Sequence, residues 1–234
     1  MNTPNHTPLI AHRIRRYTAA GSLVAFPALL VVQAPLDPAS GGTGEVMFTA
    51  ATNHAGALLA SAGLLMLSGM LMVPAVWGLA HQARDRGGAL ANLAAVFGVL
   101  GGFGHFAIGM FYLFALGLPG GDRDHMVAYI ERLNASPALG AIAFPLILCF
   151  ALGVLAMAWA AWRAGLIGWW GPIAVTAVVV LHEVVPSSIA WIDIAGLSVL
   201  TVVFGYLGVR TARLTDSEWG SVPQPRALPA PATV

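Results

Sequence analysis

The sequence predicts an all-α, polytopic membrane protein: a bundle of six transmembrane helices with both termini cytoplasmic. Three observations carry this. Of 234 residues, 58% are hydrophobic and only 9% charged, whereas a soluble domain carries roughly 25% charged residues to face water. Six apolar runs recur, at 17–36, 55–79, 90–116, 139–162, 167–185 and 189–209, each near the roughly 20 residues that cross a hydrocarbon core. The arginines are distributed unevenly about those runs.

The first run follows Arg13, Arg15 and Arg16 and ends before Pro35, Asp37 and Pro38. Arginines, an apolar stretch and Val32-Gln33-Ala34 resemble a cleavable leader, but Pro35 disfavours cleavage there, so the span is expected to stay. Arg84 and Arg86 separate the second and third runs, Arg163 the fourth and fifth, and Arg210, Arg213 and Arg226 follow the sixth. If all six runs cross, nine of the eleven arginines share one side, which the positive-inside rule makes cytoplasmic. The opposite side holds Arg123 and Arg132 among Asp37, Glu45, Asp122, Asp124 and Glu131. Backbone groups in lipid must bond internally, so these runs are helices.

This divides the chain into a disordered N-terminus (1–16), a transmembrane domain (17–210) and a disordered Pro/Ala-rich tail (211–234). In the outer loop at 120–137, Met126, Tyr129, Ile130 and Leu133 recur at helical spacing, which predicts a short interfacial helix. Trp77, Trp159, Trp162, Trp169 and Trp170 fall near the cytoplasmic ends, as an aromatic belt does. Ala25-Phe26-Pro27 and Ala143-Phe144-Pro145 form a faint echo between spans one and four, the pattern of inverted three-span repeats. All basic residues are arginine and lysine is absent, the codon usage of a GC-rich bacterial genome. The expected location is the bacterial inner membrane and the expected partner the lipid bilayer. A net charge of +1 without a basic stripe excludes nucleic acid, and the single Cys149 excludes an intrachain disulfide.

Ionisable groups inside a membrane cost roughly 2.5–3.5 kcal/mol each on insertion scales, so they mark function. The candidates are His54, His105, His182, Glu183 and Asp193. Counting residues from the predicted span ends puts all five in the outer half. His54 shares a seven-residue repeat with Ser61 and Ser68, and His105 is flanked by Gly101 and Gly109, the small residues of a helix contact. Glu183, Asp193 and His182 are the expected catalytic set, with His54, His105 and Trp191 touching substrate. Acid–base catalysis of the cyclase or isomerase type on a lipophilic molecule, such as an isoprenoid, suits that equipment. The alternatives are a small proton-coupled transporter or permease-like homo-oligomer, an accessory subunit without chemistry, and a purely structural pairing of Glu183 with its neighbours. No cofactor is expected; a haem between His105 and His182 ranks low because no arginine stands near for its propionates, and a metal held by His54, His182, Glu183 and Asp193 ranks lower still because no spacing motif marks it.

Asn53-His54-Ala55-Gly56, the turn at 84–88 and Gly104-His105 give the chain a layout that resembles small multi-pass actinobacterial membrane proteins of unknown function. In size, span number and sparse intramembrane carboxylates it is also similar to integral-membrane terpene cyclases. That resemblance implies an acidic pair that protonates an epoxide or alkene and quenches the cation, parts that Glu183 and Asp193 would take. The sequence departs from the pattern in span two, where His54 stands instead of an acid.

Overall fold

The structure, a computed structural model, describes residues 7–184 and 190–220, all of them in helices or short connections. In chain order the helices are α1 (Thr7–Gln33), α2 (Gly44–Asn53), α3 (Ala55–Ala83), α4 (Gly88–Ala115), α5 (Arg123–Asn134), α6 (Pro137–Arg163), α7 (Trp170–Val184), α8 (Ala190–Arg213) and α9 (Asp216–Gly220). Five segments are long and apolar enough to cross a membrane: Ile10–Leu36, Ala55–Ala83, Gly88–Gly120, Pro137–Arg163 and Trp191–Arg213. These coincide with five of the six predicted runs, so the chain reads as a multi-pass α-helical membrane protein.

The remaining run, predicted at 167–185, is the 15-residue α7, about 22 Å long at 1.5 Å per residue. Its shortening starts at the end of α6. There Leu166 N–H donates to Ala161 O and Gly165 N–H to Trp162 O, each at 2.8 Å, with Gly165 at φ +71. This paired closure needs the left-handed conformation that glycine adopts without strain. It takes residues 164–169 into the turn.

Two further segments differ from expectation. Residues 7–16, expected to be disordered, form the first turns of α1, and Arg16 is only 5% exposed. It donates to Leu214 O and pairs with Asp216 at 3.1 Å, while Arg13 reaches the same carboxylate at 3.0 Å. Those ion pairs dock α9, whose buried Trp219 lies against His81 with ring centroids 4.6 Å apart. At the start of α9, Thr215 N–H donates to Glu218 Oε2 and Glu218 N–H to Thr215 Oγ1, a capping box. Donation from the Thr215 amide and hydroxyl holds the Glu218 carboxyl below its usual range. The second difference is α2, which lies in what the sequence presents as a plain connection. Thr43 caps it, and Met47, Ala50 and Ala51 bury one face. α5 is the short helix that the apolar spacing predicts. It packs on α2 through Gly44 N–H to Glu131 (2.6 Å) and Asn134 to Gly42 O (2.8 Å).

Neighbouring long helices run antiparallel in the order α8–α1–α3–α4–α6–α7, and α7 packs back on α8 to close the ring. Toward the α9 end, Leu23, Phe26, Met72, Val76, Val154, Met157, Val175 and Phe204 form one core. Toward the other end, Leu30, Met47, Leu58, Tyr112, Leu118 and Ile130 form a second, roofed by α2 and α5. The sequence echo does not mark equivalent positions: Phe26 is buried in the first core, whereas Phe144 is 68% exposed. The five tryptophans of the expected belt are all exposed near the α9 end.

Association in lipid relies on close van der Waals approach, since burying apolar surface there gains nothing over lipid tails. α4 achieves that on two faces. Toward α3, a Cβ added at Gly102 would stand 2.6 Å from Gly69 O, and one at Gly109 would stand 2.7 Å from Ala62 O. Toward α6, a Cβ at Gly101 would meet Phe150 N at 2.6 Å, and one at Gly104 would meet Leu146 O at 3.0 Å. Overpacking of this kind costs roughly 1–3 kcal/mol. Gly102→Ala is therefore expected to lower thermal stability in mild detergent by about that amount, whereas Gly63→Ala, with nothing within 4 Å, should be neutral or slightly stabilising through helix propensity. Equal effects at the two positions would contradict the packing.

Candidate functional site

At the end of the bundle opposite α9, α1, α3 and α4 are joined by polar side chains. A single 3₁₀ turn, Ala34–Leu36, follows α1 and delivers Asp37 in extended conformation (φ −77, ψ 103). Its Oδ1 accepts from Ala39 N–H at 2.9 Å, the local bond by which an Asp stabilises a turn. Its Oδ2 accepts from the Tyr112 hydroxyl of α4 at 2.9 Å and from the Gln33 amide of α1 at 3.1 Å. Gln33 also donates to Ser61 Oγ of α3 at 2.8 Å. One turn-borne carboxylate thus links three helices. Among the described residues no cationic side chain pairs with it.

Asp37 is also a wall of an open cleft of about 500 Å³, lined by Leu36, Glu45, Thr49, His54 and Ala57 among others. His54 stands where α2 stops and α3 begins. It closes the first helix by donating its N–H to Ala50 O and opens the second by accepting from Leu58 N–H. Its backbone (φ −134, ψ 34) fits neither helix, and its side chain is exposed on the cleft. Glu45, across the cleft, is paired with Arg123 at 2.5 Å. The cleft therefore presents one carboxylate without a cation, one imidazole and an apolar floor.

The other sequence candidates lie elsewhere. His105 donates from Nδ1 to Gly101 O at 3.2 Å, and its ring packs on Phe150 of α6 with centroids 4.1 Å apart. A Cβ at Gly69 would meet His105 Cβ at 3.3 Å. Gly69 is the midpoint of α3 and fifteen residues from His54, about 22 Å along the helix. His105 thus faces protein, as its glycine neighbours imply, but at mid-depth and apart from His54. The single outer cluster inferred from residue counting is corrected here for this pair. The count puts residue 105 only a little beyond the middle of its span, and here it packs against the midpoint of α3, whereas His54 opens that helix.

Asp193 is half-buried in the first turn of α8, where an acidic residue also complements the helix dipole. Trp191 is 69% exposed on the same turn. His182 and Glu183 occupy the last turn of α7, and their side chains lie outside the described residues. The haem alternative meets an obstacle: α7 packs on α6 and α8, so α6, with Phe150 over the His105 ring, stands between α4 and α7. Among the described residues, no three His, Cys, Asp or Glu side chains come together as a metal site.

Sequence reasoning passed over Asp37, Gln33 and Tyr112, although one signal pointed there. The repeat His54–Ser61–Ser68 is the edge of α3 that faces α1: Ser61 meets Gln33 and Ser68 donates to Phe26 O at 2.8 Å. No family model, no curated protein and no solved structure matches the chain, so the site rests on its own geometry. Tyr112→Phe is expected to cost roughly 0.5–1.5 kcal/mol of stability. Because Gln33 and Tyr112 serve the same oxygen, Gln33→Ala and Tyr112→Phe should combine non-additively in a double-mutant cycle read by thermal unfolding. Strict additivity would contradict the shared acceptor.

Proposed function

We propose that the chain crosses the membrane six times with both termini cytoplasmic, and that its outer cleft carries acid–base catalysis on a lipophilic small molecule. The topology is supported by the antiparallel ring, which gathers Arg13, Arg16, Arg84 and Arg210 at one end and Asp37, Glu45, Asp122 and Asp124 at the other. The orientation then follows from the positive-inside rule.

The observation that carries the catalytic reading is a carboxylate satisfied by three neutral donors, with no cationic partner among the described residues, on the same cleft as an exposed imidazole. Imidazole exchanges protons readily near neutrality. In its protonated form His54 would add a proton to an alkene or epoxide of a substrate entering from the outer leaflet. The cation so formed would face Asp37, whose oxygens are held in place by Tyr112, Gln33 and the Ala39 amide, an arrangement that costs no reorganisation as charge develops. Loss of a proton from the substrate back to His54 completes an isomerisation or cyclisation without change in composition.

A second reading, transport, is favoured by a second groove at the α9 end of the same α1–α3 seam and by Pro27 and Pro74 inside the two helices. Leu23, Phe26 and Met72 close that seam between the two openings, which favours catalysis at one end.

Comparing lipid extracts of cells with and without the protein tests this. The wild type should yield a lipophilic species of unchanged mass and altered retention time, and His54→Gln and Asp37→Asn should each reduce it by roughly 10²-fold or more with normal membrane insertion. Undiminished product in both well-inserted variants would refute the assignment.

A further inference from the structure

The groove at the arginine-rich end is independent of the outer cleft and has a different chemistry. It follows the α1–α3 seam where Gly78 and Ala19 touch; a Cβ at Gly78 would collide with that of Ala19. The close approach makes a shallow floor, and the flanking side chains become walls enclosing about 360 Å³. On α1, His12 and Arg15 stand toward the helix start and Thr18 one turn deeper. On α3, His81 stands toward the end, with Trp77 and then Pro74 deeper. From His81 to Pro74 the groove spans about 10 Å along the helix, passing from cationic and polar groups to aromatic and apolar ones.

One arginine of this end lines the groove, and its charge is not met by an acid among the described residues. Arg13 and Arg16 pair with Asp216, and Arg84 approaches Asp85 at 3.9 Å. Arg15 has no acidic partner among the described residues, and it is the arginine that lines the groove. Trp77, 62% exposed, offers a wide apolar face beside it. A cation at the polar rim and an aromatic wall deeper in match an anionic headgroup with its acyl chain running inward.

We propose that this groove binds one anionic phospholipid, its phosphate against Arg15 and His12 and an acyl chain along Thr18, Pro74 and Trp77. Trp77 supplies the readout. The full chain is reconstituted into phosphatidylcholine nanodiscs with increasing amounts of phosphatidylglycerol that carries brominated acyl chains, which quench nearby tryptophan; Trp77→Phe isolates the Trp77 contribution. Quenching of Trp77 should saturate at a phosphatidylglycerol fraction at least tenfold below that needed with brominated phosphatidylcholine. Arg15→Gln, which leaves the Asp216 pairs intact, should erase that preference while the thermal unfolding midpoint stays unchanged, and Arg15→Lys should retain most of it. Inorganic phosphate at constant ionic strength should not displace the lipid. Equal quenching by the two lipids in the wild type would overturn the proposal, as would a full preference in Arg15→Gln. Complete displacement by inorganic phosphate would overturn it in favour of a soluble phosphate ligand.

Discussion

The architecture depends on how closely α4 approaches two neighbours at once. With lipid on the outside of the bundle, helices gain nothing by hiding apolar surface from one another, and cohesion comes from atoms in contact. α4 gives up side chains at Gly98, Gly101, Gly102, Gly104 and Gly109 so that the backbones of α3 and α6 lie against it. His105 is held in the middle of this sandwich, its ring against Phe150 and its Nδ1–H on the carbonyl one turn back. A polar side chain satisfied in this way at mid-depth needs no ligand to explain it. The same approach fixes the distance between α1, α3 and α4 at the Asp37 end, which lets Tyr112 and Gln33, itself bonded to Ser61, converge on one carboxylate.

The two ends of the α1–α3 seam are finished differently. At the arginine-rich end, α9 is clamped by Asp216 to Arg13 and Arg16 and leaves Arg15 over an apolar groove. At the other end α2 and α5 form a roof that neutralises Glu45 with Arg123 and leaves Asp37 with neutral donors alone. At each end a charge with no opposite partner among the described residues, Arg15 or Asp37, thus borders an apolar wall. Such groups are costly near a membrane and are where binding or chemistry is expected.

Much of this is legible in the sequence, because lipid imposes length and composition together. Five spans, the short helix α5, the tryptophan belt and the protein-facing side of His105 follow from run length, charge placement and glycine spacing. The parts that do not follow depend on tertiary contact. α2 carries only three buried side chains besides Gly44 and reads as a connection until Ile130 and Leu118 appear beside it. Asp37 looks like one loop charge among several until Tyr112, seventy-five residues away, bonds to it. Gln33 sits at the end of an apolar run where an interfacial residue raises no question. His54, in contrast, is visible as a polar residue at a span boundary, and its place on the α1-facing stripe of α3 was the nearest pointer to the site.

The most direct test of the account is which side of the membrane the Asp37 cleft faces. Single cysteines at Thr49 on the cleft wall, at Arg86 and Arg163 in the connections, and at Ser217 in α9 can be probed in intact cells with a membrane-impermeant maleimide. The native Cys149 is buried and serves as a silent background. The account predicts rapid labelling of Thr49→Cys from outside, with Arg86→Cys, Arg163→Cys and Ser217→Cys labelled only after permeabilisation. External labelling of Ser217→Cys, or protection of Thr49→Cys until permeabilisation, would contradict the six-span topology and the outward-facing cleft.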